Sequence, residues 1–221
     1  MKAKHSVISD DPGQDVTRRH LLEAAGEVFA EVGFRDATVR EICQRAGANV
    51  AAINYHFGDK ENLYAEVLRY AQGKALEKYP MLLGMAETAP PEQRLHAFIL
   101  SILSRIFDKG PTSWHGRLMT REMIEPTAVL DSLIEERIRP LSDALRKIVA
   151  EILRCPMTDE RVGSCAISVF SQCVFYKHCR PVVIRLFPEH LPDDPAAIAK
   201  LAAHITRFSL VAMRDYSGKK A

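Results

Sequence analysis

Long apolar runs are missing from this chain. No stretch reaches the roughly 18 consecutive apolar residues that a bilayer-spanning helix needs, and the N-terminus is polar, Met1-Lys2-Ala3-Lys4-His5. No membrane association and no secretory leader are expected, and the expected location is cytoplasmic. Cysteine is scarce as well. Five among 221 residues, an odd number without a C-x-x-C pair, argue against a disulfide framework and fit free thiols in a reducing compartment. Catalytic signatures are also absent: there is no G-x-G-x-x-G or G-x-x-x-x-G-K-[ST] phosphate loop, no H-E-x-x-H and no G-x-S-x-G elbow. The acidic pairs Glu135-Glu136 and Asp193-Asp194 sit in exposed-looking contexts and read as solvated charge. Neither an enzyme nor a bound cofactor is expected. Alternating strand patterns, internal repeats and low-complexity tracts are lacking too, which leaves an all-α class.

What the chain does have is concentrated between Ala37 and Lys60. Thr38 precedes an apolar pattern at Val39, Ile42, Cys43 and Ala46, with Glu41 three residues after it, the capping-box spacing of a helix start. Gly47 supplies the positive φ of a tight turn, and Asn49 can cap a second helix whose apolar side is Val50, Ile53 and Phe57. The pattern predicts helix, turn, helix.

In that motif the second helix enters the major groove with its N-terminal residues at base edges. Asn49, Val50, Ala51 and Asn54 then face bases; Asn pairs bidentately with adenine, and Val or Ala touches a thymine methyl. Thr38, Tyr55, His56 and Lys60 are expected to hold phosphates, which fix register without reading sequence. The same spacing also fits a small three-helix domain that never meets DNA, with Tyr55 or Phe57 as core aromatics.

The stretch from Thr17 to about Tyr70 resembles the N-terminal domain of the TetR family of transcriptional regulators. The matching residues are Leu22, Ala25, Phe29 and Gly33-Phe34, then Thr38-Val39-Arg40, Ile42 and Ala46-Gly47, then Tyr55-His56-Phe57, Lys60-Glu61 and Leu63. The resemblance implies phosphate contacts at Thr38, Tyr55, His56 and Lys60, and base reading by Arg40, Asn49, Val50, Ala51 and Asn54. It departs at Asn54, where many relatives carry an aromatic, which implies a different base preference. The run Arg117-Leu118-Met119-Thr120-Arg121-Glu122-Met123-Ile124-Glu125-Pro126 is similar to the C-terminal domain of the CecR (YbiH) type within that family. That likeness implies a helical domain that binds a small molecule and dimerises.

Charge gives mixed support. Up to Lys60 the bases Lys2, Lys4, Arg18, Arg19, Arg35, Arg40, Arg45 and Lys60 are outnumbered by acidic residues, and the whole chain carries only +2. A basic domain is the commoner footprint of DNA binding. The two are reconciled if the carboxylates of the first helix face away from the duplex and Arg40, Arg45 and Lys60 line the DNA side.

The breakers divide the rest. Residues 1–14 are expected to be a disordered tail, 15–62 the DNA-binding domain, 63–216 a helical ligand-binding and dimerisation domain, and 217–221 a C-terminal tail. Helices are expected near Thr17–Glu31, from Lys60, over Glu92–Phe107 ended by Lys109-Gly110-Pro111, over Trp114–Ile124, and over Ala128–Leu153 with a kink or break at Pro140. The segment Glu160–Cys179 has almost no polar face and Ala196–Met213 repeats this more weakly, so both are expected in a four-helix homodimer interface or, alternatively, one as the central core helix. A twofold dimer requires a double-stranded DNA operator that is an inverted repeat. A small-molecule effector is expected to meet Phe107, Trp114, His115, Arg117, Met119, Arg121, Phe170 and Tyr176, the apolar and placed polar groups of the central segment; Met123 belongs to the same candidate set. Two other readings stay open: a helical interaction module, and a metal- or redox-sensing regulator using Cys165, Cys173, His178 and Cys179.

Overall fold

The computed structural model describes residues 12–109 and 114–218, which form eleven α-helices with no strand among them. They fall into two compact units, Met1–Tyr70 and Ala71–Ala221.

In the first unit, α1 (Pro12–Asp36) is interrupted at Gly33, whose φ of 87° no helix tolerates. It starts earlier than expected, since Pro12 suits a first helical position where no N–H is needed; the rest of the expected tail, 1–11, lies outside the described residues. α2 (Val39–Ala46), α3 (Val50–Phe57) and the beginning of α4 (Lys60–Lys78) follow at the expected places. Their core is Leu21, Leu22, Ala25, Val28 and Phe29 of α1, Ile42 of α2, Ile53 of α3, and Leu63, Tyr64, Val67 and Leu68 of α4, all almost fully buried. Tyr64 stands edge-on to Phe29 at 4.9 Å and lies 4.9 Å from Phe34. α4 gives this core four side chains, and the first compact unit runs on into α4 as far as Tyr70.

The second unit is built on α5 (Pro91–Ile106), α8 (Arg139–Leu153), α9 (Glu160–His178) and α11 (Pro195–Gly218), each packed against the other three. Leu95, Phe98, Ile99 and Leu103, Ile148 and Val149, Val162 and Val169, and Ala202 and Ile205 share one apolar core. α5 stops at Ile106, three residues before Lys109; the expected terminators Gly110 and Pro111 lie outside the described residues. α6 (Trp114–Ile124) matches expectation, and α7 (Leu130–Leu133) leads through a π-helical turn, Ile134–Ile138, into α8. Pro140 explains that turn: lacking an N–H and crowding the preceding carbonyls, it widens the helix, and the Arg139 N–H reaches back to the Ile134 carbonyl. α10 (Arg180–Leu186) and a 3-10 turn at Pro188–His190 were not anticipated.

α11 is the element on which the expectation drawn from the lack of apolar runs turns. By length and average composition it is capable of crossing a bilayer. Its Leu201, Ala202, Ile205 and Met213 are instead buried in the core, and Thr206 on the same side bonds the Ala202 carbonyl and lies 3.2 Å from His96 Nδ1. It reads as the core helix of a helical domain.

Candidate nucleic-acid interface

Local chemistry shapes the turn. Thr38 is extended and its Oγ1 accepts the Glu41 N–H at 3.1 Å, the first half of a capping box. The second half is not made, because the Glu41 carboxylate turns to Arg45, 3.8 Å away. At the other end of α2, Gly47 sits at φ 65°. Its N–H bonds the Gln44 carbonyl while the Ala48 N–H bonds that of Cys43 at 2.9 Å, the paired closure of a Schellman end. Asn49 then caps α3, its Oδ1 accepting the Ala52 N–H at 3.0 Å. Gly58, φ 82°, ends α3, and Asp59 caps α4 by accepting the Asn62 N–H at 2.7 Å.

α3 is thereby held with one face outward. Ile53 and Phe57 are buried, whereas Val50, Ala51, Asn54 and Tyr55 are exposed on the opposite side, Tyr55 by 70%. The expected base-reading residues Val50, Ala51 and Asn54 therefore share a surface. Asn49 adjoins it, but its side-chain oxygen already serves the cap, which the Asn54 amide does not. Of the phosphate candidates, Thr38 keeps a hydroxyl proton to donate, and the Tyr55 and His56 rings meet edge-on at 5.0 Å. Phe57 is core, as the alternative reading had it, while Tyr55 is not.

The cations are where sequence and structure differ most. Lys60 donates to the Ala37 carbonyl at 3.0 Å and the Arg35 carbonyl at 3.4 Å, with its ammonium 4.6 Å from the Phe34 ring centroid. It ties down the loop before α2 and has one donor left for a phosphate. Arg45 is exposed but is paired with carboxylates. Glu31 grips its guanidinium through two bonds of 2.9 Å, and Glu27 stands at 3.7 Å. The first-helix carboxylates were expected to face elsewhere; two of them instead reach α2 and neutralise Arg45. Arg18 is similarly engaged, bonded to Glu66 at 2.6 Å and stacked 5.3 Å over Phe57. Arg40 is exposed and makes no ion pair among the described residues.

The expected effector residues divide. Trp114 and Leu118 of α6 are buried; Phe107 and Tyr176 are half-buried against the core; His115 buries its Nε2. Met119 accepts a weak bond from Gln72 at 3.3 Å, Arg121 is half-buried and Arg117 exposed. Phe170 stands 46% exposed on α9, whose Val169 and Cys173 are buried. Arg105 and Lys177, absent from the expected set, lie beside His115 and Phe107 respectively. No sequence motif marks them, since they belong to different helices.

Of the metal- or redox-sensing alternative, Cys165, Cys173, His178 and Cys179 form no metal-holding group among the described residues. Eight residues of helix separate Cys165 from Cys173, about 12 Å. Both are buried, His178 is exposed, and burial pushes the Cys173 thiol up to about 12, which keeps it protonated.

Comparison with known proteins agrees with the two units. Residues 21–67 match the model of bacterial regulatory proteins of the tetR family, and 91–213 that of the C-terminal domain of the HTH-type transcriptional dual regulator CecR. The CecR regulator of Shigella flexneri is 29% identical over 153 residues, 66% of this chain and 68% of that protein. The HTH-type transcriptional regulator BetI of Escherichia coli is 33% identical over 86 residues, and the match spans 44% of its length. A crystal structure of a transcriptional regulator from Rhodococcus shares the fold with a TM-score of 0.61 at 20% identity, covering 86% of this chain and 96% of that one.

Proposed function

The chain belongs to the TetR family of DNA-binding transcriptional regulators, with a C-terminal domain of the CecR type, and on that footing we propose that it acts as a homodimeric repressor. It grips a palindromic operator in the cytoplasm and is released when a small molecule binds the C-terminal helices. The observation that carries the DNA half of this reading is the outward face of α3, where Val50, Ala51, Asn54 and Tyr55 lie exposed on a helix fixed by caps at both ends. Base edges are read by Asn54, Val50 and Ala51, with Arg40 and Asn49 beside them; Thr38, Tyr55, His56 and Lys60 position the backbone.

Dimerisation is supported by what α9 and α11 leave uncovered. Ile167 and Phe170 on α9 and Phe208 and Val211 on α11 are 46–69% exposed. The two helices are neighbours, joined by a Gln172 to Ser209 bond of 3.4 Å, and each adds exposed apolar positions to the surface. A second copy seated on it makes a twofold four-helix contact, and twofold symmetry carries over to the operator. An effector then acts by preferring the dimer in which the two reading helices are wrongly spaced.

The deciding experiment is selection of bound genomic fragments by the purified protein at moderate salt. An enriched inverted repeat is the expected result. Asn54→Ala is expected to change the enriched sequence and Arg40→Ala to weaken binding; no enriched site for the wild type would bring the interaction-module reading forward.

A further inference from the structure

Buried donors without partners gather at one place in the second unit. Arg105, in the last turn of α5, bonds the Ser101 carbonyl through Nε at 3.3 Å and leaves Nη2 buried with no hydrogen-bond partner among the described residues. His115, in the first turn of α6, buries its Nε2 in the same state. The two are close enough for the Arg105 charge to act on the imidazole: burial first, then Arg105, hold His115 down to about 4, while Asp108 opposes them. Burial also brings the Arg105 guanidinium down to about 10.

Lys177 of α9 closes the group. Its Cε lies 4.0 Å from where a side chain on Gly116 would begin, and its ammonium 5.9 Å from the Phe107 ring centroid. Burial, Arg180 and Arg117 all disfavour its charge. The one carboxylate acting on His115, Asp108, is already engaged by Lys78 at 2.7 Å and the Tyr79 hydroxyl at 3.4 Å. Arg105 of α5 and Lys177 of α9 thus bring positive charge beside the neutral His115 of α6, and among the described residues the one carboxylate acting on His115 is already engaged.

An unsatisfied buried donor costs about 1–3 kcal/mol, and more when charged, so native proteins keep very few. Groups that would bond an anion and have none are the complement of one, and charge-assisted bonds from a guanidinium fork suit a planar carboxylate best. From this clustering of Arg105, His115 and Lys177 beside Phe107, we propose that the effector site takes an organic anion, whose carboxylate is held by Arg105 and His115 with Lys177 neutralising its charge. The apolar part of the ligand lies against Phe107 and Trp114. The proposal rests on the reading of this unit as effector-binding.

The test uses the full-length protein at neutral pH and three carboxylates, acetate, benzoate and octanoate, each against its uncharged amide. Thermal unfolding and calorimetry read binding, and a labelled operator in the same samples reads DNA release. At least one carboxylate is expected to bind, its amide about tenfold or more weakly, the worth of one charge-assisted hydrogen bond. Arg105→Met is expected to abolish that preference, and His115→Leu to reduce it should Arg105→Met fail to fold. Equal binding of each acid and amide overturns the proposal, as does full acid preference in Arg105→Met. A carboxylate that binds without loosening the operator overturns the effector assignment. An operator that fails to bind without any ligand counts instead against the regulator reading, so the two failures are distinguishable.

Discussion

Polar groups in the two units meet different ends. In Met1–Tyr70 the side chains close on helix termini or on one another: Thr38, Asn49 and Asp59 cap three successive helices, Arg45 is held by Glu27 and Glu31, and Lys60 by two carbonyls. In Ala71–Ala221 three buried side-chain nitrogens, on Arg105, His115 and Arg137, have no partner among the described residues. A reading surface needs rigidity, so most of its polar chemistry goes into fixing the backbone, and the outward face of α3 and the exposed Arg40 remain for a ligand. A switchable site gains by leaving donors unmatched, because ligand binding then releases a cost already present in the unliganded protein.

The largest way to break that contrast is pH. His115 titrates near 4 when folded and near 6.5 in the unfolded chain, so the unfolded state binds the proton first as pH falls. Its contribution is whole above pH 6.5 and is lost on the way down to pH 4, by about 3 kcal/mol at the limit. Urea unfolding at pH 4.5, 5.5 and 7 should therefore show a steeper acid loss in the wild type than in His115→Leu, the groups facing the imidazole, Arg105 and Asp108, being common to both. Equal slopes would mean that His115 is not held neutral and that the body's unmatched donors are fewer than they look.

A smaller effect tests the rigidity of the head. Gly47 has open space around the position of a side chain, so Gly47→Ala meets no clash and only the left-handed φ of 65° opposes it. A loss of about 1–2 kcal/mol from the head's stability is expected, with weaker operator binding. An unchanged melting profile would show that the turn adapts and that the caps alone hold α3.

How much could be read in advance follows from the same contrast. Thr38, Gly47 and Asn49 act on neighbours within a few residues, and local rules of capping and left-handed glycine suffice to place α2 and α3; the bonds of Lys60 reach back 23 and 25 residues and needed the packing. The outward face of α3 followed from its buried positions, Ile53 and Phe57. The fate of Arg45 did not, because Glu27 and Glu31 reach it from another helix and only packing brings them together. The effector group was less legible again. Of the proposed group, Phe107, Trp114 and His115 lie close in sequence and stood among the expected residues, whereas Arg105 ends a different helix and Lys177 comes from α9, more than sixty residues on. The exposure of Phe170 was not legible either, since composition marks an aromatic on α9 without saying which side meets the core.

The finest test separates a paired cation from an unpaired one within the head. Each phosphate neutralised by a cation contributes about 0.9 to the slope of log affinity against log salt. Arg40, exposed and unpaired, is expected to lower that slope by about one per protomer when changed to Gln. Arg45→Gln should leave the slope alone, because Glu31, Glu27 and Glu41 already hold the charge, and should cost the fold less than about 1 kcal/mol, as exposed ion pairs do. The measurement is operator binding by anisotropy across a salt series. If Arg45→Gln flattens the slope as much as Arg40→Gln, the carboxylates release Arg45 when DNA arrives, and the head too holds its charges in reserve for a ligand.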